Sequence, residues 1–244
     1  MKLRTLLAFA LTSVFALAQP AAPAGDAARS TTQADRLAEG WWKNRWEAKV
    51  KATAEAKDSQ LVFLGDSITQ GWEGAGKKTW EEKFAAYKPL NLGFSGDRTE
   101  HLLWRIKQDE ESLKKLSPKV AVILIGTNNT GHQQRPAAET TAGIKATLNA
   151  LQAVWPKTKL LVLSVFPRGA DANDPHRKLN DGINAEVAKL ADNKTIFVQD
   201  ISSSLMQADG TLSKDIMPDL LHLSPKGYEL WADAIGPKLK ELGL

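Results

Sequence analysis

The sequence predicts an α/β domain of three layers, a five-stranded parallel sheet covered by helices on both faces. Short apolar runs of strand length alternate with segments of helical periodicity along most of the chain. Three of the runs, at 61–64, 120–125 and 160–166, are almost unbroken in Val, Ile, Leu and Phe. Strands buried on both faces have that composition, and they belong to parallel sheets whose crossovers are helical. With 244 residues, 43% of them hydrophobic, the chain is large enough to bury a sizeable core in a single domain.

The N-terminus reads as a targeting segment. Lys2 and Arg4 supply a positive start, an apolar stretch follows to Leu17, and Ala16-Leu17-Ala18 is a small-x-small cleavage signal. Residues 1–18 are therefore expected to be a signal peptide that directs a secreted or periplasmic protein. The apolar stretch is about a dozen residues, too few to cross a bilayer, and no later segment is long and apolar enough. Residues 19–32, rich in Ala, Pro, Gly, Ser and Thr, read as a flexible leader. The domain is expected at 33–244.

It begins with a helical pattern over 33–57 in which Leu37, Trp41, Val50 and Ala54 are assigned to one face. Trp41, Trp42 and Trp46 crowd this segment; they suit either a buried docking stripe, the favoured reading, or a sugar-stacking surface. Strands are predicted at 61–64, 90–92, 120–125, 160–166 and 195–198. Helices are predicted at 79–87, 99–107, 138–154 and 177–190. A last helix over 225–239 starts with Ser224 as N-cap and Pro225 in its first turn.

Composition removes several function classes. The absence of cysteine excludes disulfides, thiolate metal sites, a cysteine nucleophile and lipid attachment through cysteine. The formal charge is +4, and two of these charges, Lys2 and Arg4, lie in the expected signal peptide. No basic block remains, which argues against a nucleic-acid partner.

Ligands of open α/β sheets bind beyond the carboxyl ends of the strands, and those ends carry the chemistry here. Gly65-Asp66-Ser67 follows the first run, Gly93-Phe-Ser-Gly96-Asp97-Arg98 the second, and Gly126-Thr-Asn128-Asn129 the third. Asp219-Leu-Leu-His222 precedes the last helix. These residue types suit acyl transfer. Ser67 is the candidate nucleophile, and a serine hydroxyl needs a base such as His222 to take its proton. The imidazole in turn needs a carboxylate on its other nitrogen, and Asp219 lies three residues away. The oxyanion of the tetrahedral intermediate calls for preorganised donors. Candidates are the backbone N–H groups of Ser67 and Gly96 and the side-chain amide of Asn128. Each residue also has an ordinary reading: Gly93, Gly96 and Gly126 as turn glycines, Asn128 as a loop cap, Asp97 and Arg98 as a local ion pair. His101, His132 and His176 read as structural. Trp72 and Leu221 are candidates for an acyl pocket, or equally for the core.

At these residues the chain resembles the SGNH (GDSL) hydrolase superfamily. Its four blocks match Gly65-Asp66-Ser67-Ile-Thr69, Gly96-Asp97, Gly126-Thr127-Asn128 and Asp219-x-x-His222. The branch of the platelet-activating-factor acetylhydrolase catalytic subunits is the most similar. That likeness extends over 91–105, Gly126 to His132, Phe166-Pro-Arg-Gly169 and Leu220 to Ser224. The resemblance implies a flavodoxin-like sheet, a Ser67–His222–Asp219 triad and an oxyanion hole from Ser67, Gly96 and Asn128. It implies hydrolysis of short acyl esters with no metal or organic cofactor, and it is compatible with a homodimer. The expected substrate is a small acyl ester, either an O-acetyl group on a glycan or a short-acyl lipid. Two rival readings are a metallophosphoesterase, which would need more Asp and His ligands, and an exported glycan-binding domain with an inactive serine.

Overall fold

The computed structural model describes residues 29–244, so the signal-peptide assignment and most of the leader lie outside the described residues. The end of the predicted leader does not behave as one. Residues 29–31 are helical, and Ser30 is fully buried with its hydroxyl donating to Glu139 at 3.2 Å. The packed structure therefore begins before residue 33.

Five strands form one all-parallel sheet in the order β2-β1-β3-β4-β5. They are β1 (Leu61–Gly65), β2 (Leu90–Gly93), β3 (Val120–Leu124), β4 (Lys159–Leu163) and β5 (Ile196–Gln199). This is the flavodoxin-like order, with a topological switch point where β1 meets β3. Val62 pairs with Leu90 on one side and Ala121 on the other, which fixes the register at the centre. The period-two alternation of a strand then sends Val62, Leu64, Ala121, Ile123, Leu160 and Val162 to one face. Leu61, Phe63, Val122, Leu124, Leu161 and Leu163 go to the other.

The connections are helical, as expected for parallel strands. In chain order they are α1 (Gly40–Glu55), α2 (Ser67–Gln70), α3 (Lys77–Phe84), α4 (Thr99–Gln108), α5 (Glu110–Leu113), α6 (Thr127–Gln133), α7 (Ala137–Val154), α8 (Pro175–Val187), α9 (Ser202–Leu205) and α10 (Pro225–Glu241). Leu102, Ile106, Ile144, Leu148, Leu151 and Ile183 bring α4, α7 and α8 onto the first face. Phe84, Tyr228, Trp231 and Ile235 bring α3 and α10 onto the second. The short helices α2, α5, α6 and α9 were not foreseen, being too brief to show a helical period. Among the described residues no helix is long and apolar enough to cross a membrane.

Two sequence assignments need correction. The helix predicted over 33–57 begins only at Gly40, so Leu37 lies before it; Leu37 and Trp41 are exposed, and the buried positions of α1 are Trp42 and Thr53. Trp42 docks the helix by packing on Phe94 and Trp104, with Trp46 of the same helix stacked beside it. Trp72, a candidate for the acyl pocket, is 1% exposed and enclosed by Phe63, Phe84, Tyr228 and Trp231. A ring so enclosed is core and has no face left for a substrate.

Candidate active site

The site is assembled from the carboxyl ends of β1, β2 and β3 and from the turn before α10. After β1 the chain turns sharply into α2. Gly65 is needed there because a Cβ would lie 2.2 Å from the Leu124 carbonyl oxygen and 2.3 Å from Thr69 Oγ1. Asp66 is the N-cap of α2, its Oδ1 accepting the Ile68 N–H at 3.0 Å. That leaves Ser67 in the first turn, half-buried at the switch point, and its N–H donates to no acceptor among the described residues. Asp66 is itself fully buried, and its Oδ2 has no hydrogen-bond partner among the described residues. Burial pushes its carboxyl up to about 7, with nearby Asp97 adding to the shift and the Ile68 N–H opposing it.

Across the site, His222 Nε2 lies 2.9 Å from Ser67 Oγ. Its Nδ1 lies 2.7 Å from Asp219 Oδ2. The carboxylate is held in turn by backbone N–H groups, from Leu221 at 3.0 Å and His222 at 2.7 Å, both onto Oδ1. Burial alone would push the Asp219 carboxyl up, but the hydrogen bonds from the His222 ring and backbone outweigh it and hold the group below its ordinary value. Leu220 between them adopts a left-handed φ of +59°, which closes the turn at some steric expense for a residue with a Cβ. Its N–H bonds the Met217 carbonyl and its own carbonyl accepts the Gly169 N–H at 2.9 Å.

The second and third blocks meet each other through Asn128 and Asp97. Gly96 has φ +72°, so glycine is required there by the backbone itself. Asn128 sits in the first turn of α6, and its amide donates to the Asp97 carbonyl at 2.9 Å, leaving the second amide hydrogen uncommitted. The Gly96 N–H also lacks an acceptor among the described residues. The N–H donors of Ser67, Gly96 and Asn128 thus lack a full set of internal partners among the described residues.

Asp97 corrects another sequence expectation, since it does not pair with Arg98. Its buried carboxylate accepts from Arg105 Nε at 2.9 Å, Trp42 Nε1 at 2.8 Å and Arg36 Nη1 at 3.1 Å. Arg98 pairs instead with Glu100. Arg105 also donates to the Leu92 and Gly65 carbonyls, clamping the ends of β1 and β2 beneath the site. The roles of Arg36 and Arg105 were missed in the sequence. Arg105 gave a faint signal, a cation on the apolar side of α4; Arg36 gave none. His101 is buried as a helix-capping acceptor for the Arg98 N–H, and burial together with the neighbouring arginines pushes it down to about 3. Leu221 is half-buried on the edge of the second core cluster. Among the described residues no cluster of three or more Asp, Glu or His side chains has the spacing of a metal site.

A protein-family model, the GDSL-like lipase/acylhydrolase family, matches residues 63–230, which takes in every block above. The chain belongs to the GDSL-like lipase/acylhydrolase family. As a member it is a carboxylic ester hydrolase. It is 36% identical over 203 residues to the platelet-activating factor acetylhydrolase IB subunit alpha1 of Pongo abelii, covering 83% of this chain and 84% of that one. Among solved structures, a GDSL-like lipase from Bacteroides thetaiotaomicron superposes with a TM-score of 0.63 at 21% identity, covering 80% of this chain and 97% of that one. A carbohydrate esterase family 3 protein from Talaromyces cellulolyticus gives 0.55 at 20% identity, covering 75% and 97%. At those identities the two structures establish the shared fold of this GDSL-family hydrolase.

Proposed function

We propose that this hydrolase cleaves short-chain, acetyl-type acyl esters through a Ser67–His222–Asp219 triad and an acyl-enzyme intermediate. One observation carries the reading: the unbroken hydrogen-bonded array Asp219–His222–Ser67, at 2.7 and 2.9 Å. His222 takes the Ser67 proton as Oγ attacks the ester carbonyl, and Asp219 holds the imidazole and balances its charge. The Ser67 and Gly96 N–H groups and the free amide hydrogen of Asn128 receive the oxyanion. The tetrahedral intermediate collapses, the C–O bond to the alcohol breaks, and the imidazolium returns the proton to the leaving oxygen. Water, deprotonated by His222, then attacks the acyl carbon and releases the acid and Ser67.

The substrate is proposed as an acetylated glycan or a short-acyl lipid. The platelet-activating factor acetylhydrolase name of the relatives supports an acetyl group. Leu221, half-buried beside His222, is the proposed contact for that small acyl group. Residues 1–18 are proposed to be removed on export, which N-terminal sequencing of the protein purified from its host would test.

The assignment is checked with Ser67→Ala on p-nitrophenyl acetate. The expected loss in kcat is on the order of a million-fold, as for other triad serines. Retention of most of the activity would show that the nucleophile lies elsewhere.

A further inference from the structure

Next to Ser67 lies an open depression of about 360 Å³, lined by Gln70, Gly71, Glu73, Gly74 and Ser95. Its walls are mixed, apolar surface interrupted by the polar groups of Gln70, Glu73 and Ser95. It suits the alcohol half of an ester, provided that alcohol carries hydroxyl groups. The Gln70 Oε1 accepts the Ser95 N–H at 2.7 Å, which fixes the amide plane and leaves its NH2 group with no acceptor among the described residues. Glu73 accepts from Arg45 through two bonds of 2.8 Å and from Lys49 at 2.7 Å.

An indole is joined to the Ser95 wall through Arg36, which donates to the Ser95 carbonyl and lies against the Trp41 ring. Trp41 is 44% exposed, one of two large apolar side chains so exposed among the described residues. Lone surface tryptophans are common enough, but this one is held in place. Its Nε1 donates to Glu39 Oε2 at 3.1 Å, and the Arg36 guanidinium lies 5.1 Å from its ring centre. Arg36 is itself fixed by two 2.8 Å bonds to Glu39 and by bonds to the Ser95 carbonyl at 2.7 Å and Asp97 Oδ1 at 3.1 Å. Those last two acceptors flank Gly96. The indole is thus tied, through a single arginine, to the oxyanion loop. Ordering is already complete before a ligand arrives, and that lowers what binding costs.

Every charge of this region has an opposite partner, and the charges balance in sum. Glu73 faces Arg45 and Lys49, and Arg36 faces Glu39 and Asp97. A phosphate would find no unpaired cation among these groups, whereas a neutral polyol would find donors, acceptors and an apolar ring face together.

We infer that Trp41, Gln70 and Glu73 form a subsite for a neutral sugar ring on the leaving-alcohol side of Ser67. The substrate class that follows is an O-acylated carbohydrate. The sugar's C–H face stacks on Trp41 while its hydroxyls meet the Gln70 amide and the Glu73 carboxylate. The inference rests on Ser67 as nucleophile, and its test is arranged so that the two can fail separately.

The test compares a monoacetylated methyl glucoside, whose other hydroxyls are free, with propyl acetate, and both with a glycerophospholipid bearing a 2-acetyl group. Trp41→Ala is expected to lower the ratio of kcat/KM for the sugar ester to that for propyl acetate about tenfold, through KM, which corresponds to a stacking interaction of about 1.4 kcal/mol. Trp41→Phe is expected to recover part of that ratio. In the unmodified enzyme, xylotriose should compete with p-nitrophenyl acetate. Equal loss on sugar and alkyl esters, no loss, absence of competition by xylotriose, or a Trp41-dependent loss confined to the phospholipid would each overturn the sugar subsite. Ser67→Ala assayed on propyl acetate tests the underlying reading independently of any of these results.

Discussion

The two halves of the candidate site are built in opposite ways. The serine half is buried and cross-braced: Asp66 caps α2, Arg105 clamps the carbonyls of Leu92 and Gly65, and Asp97 gathers Arg105, Trp42 and Arg36. The histidine half stands on an open turn. The side chains of His222 and Asp219 are 45% and 56% exposed, and Leu220 between them is left-handed. In the proposed mechanism the nucleophile and the oxyanion donors must hold their geometry closely, and the buried braces beneath them serve that. The proposed base must exchange protons with water, and its exposure serves that. The difference separates residues whose loss damages the fold from those whose loss damages only the chemistry.

The largest effect expected from breaking this contrast is at Asp97. Asp97→Ala leaves Arg105 buried without its carboxylate, and removing one partner of a buried pair costs about 3–5 kcal/mol. A fall of that size in unfolding free energy, read by urea titration, is expected together with loss of activity. A variant as stable as the parent would show that the brace is dispensable.

Asp219→Asn comes next and acts on the other half. An exposed carboxylate can be replaced in part by water, so the loss should fall short of the roughly ten-thousand-fold typical of a buried triad aspartate. A loss in kcat on the order of a hundredfold is expected, with an unchanged urea midpoint. A large drop in stability would contradict the division between the halves.

A third effect is a pH dependence of stability at Asp66. Its folded carboxyl is pushed up to about 7 from an ordinary value of 3.8. Between those values the folded chain keeps a proton that the unfolded chain has released, so stability falls as pH rises through the window from about 4 to about 7. Asp66→Asn keeps an oxygen for the Ile68 N–H and removes the titration. It should flatten the decline of Tm across that window by about ten degrees. Parallel Tm profiles for the two proteins would count against it.

Much of this architecture was legible in the residues, and for physical reasons. Strands buried on both faces are read directly from runs such as 120–125, and blocks at strand ends are local in sequence, so Ser67, Gly96, Asn128, Asp219 and His222 could be named individually. What escaped was long-range. Nothing near Arg36 shows that it meets Asp97, and Asp97 beside Arg98 looks like a local pair until α4 brings Arg105 beneath it. Trp72 was ambiguous because a tryptophan just after a nucleophile turn can face the site or the core, and only packing against Phe63 and Trp231 decides. The exposed face of α1 was misassigned because three tryptophans near one another give no clean period.

The central claim, that Ser67 is the residue acylated during turnover, is tested most directly by covalent trapping. The protein is treated with a fluorophosphonate and digested, and the modified peptide is located by mass spectrometry. The account predicts one adduct, on Ser67, formed as activity is lost and greatly slowed in His222→Ala. Full inactivation with an adduct on another residue, or esterase activity that persists with Ser67 fully modified, would contradict it.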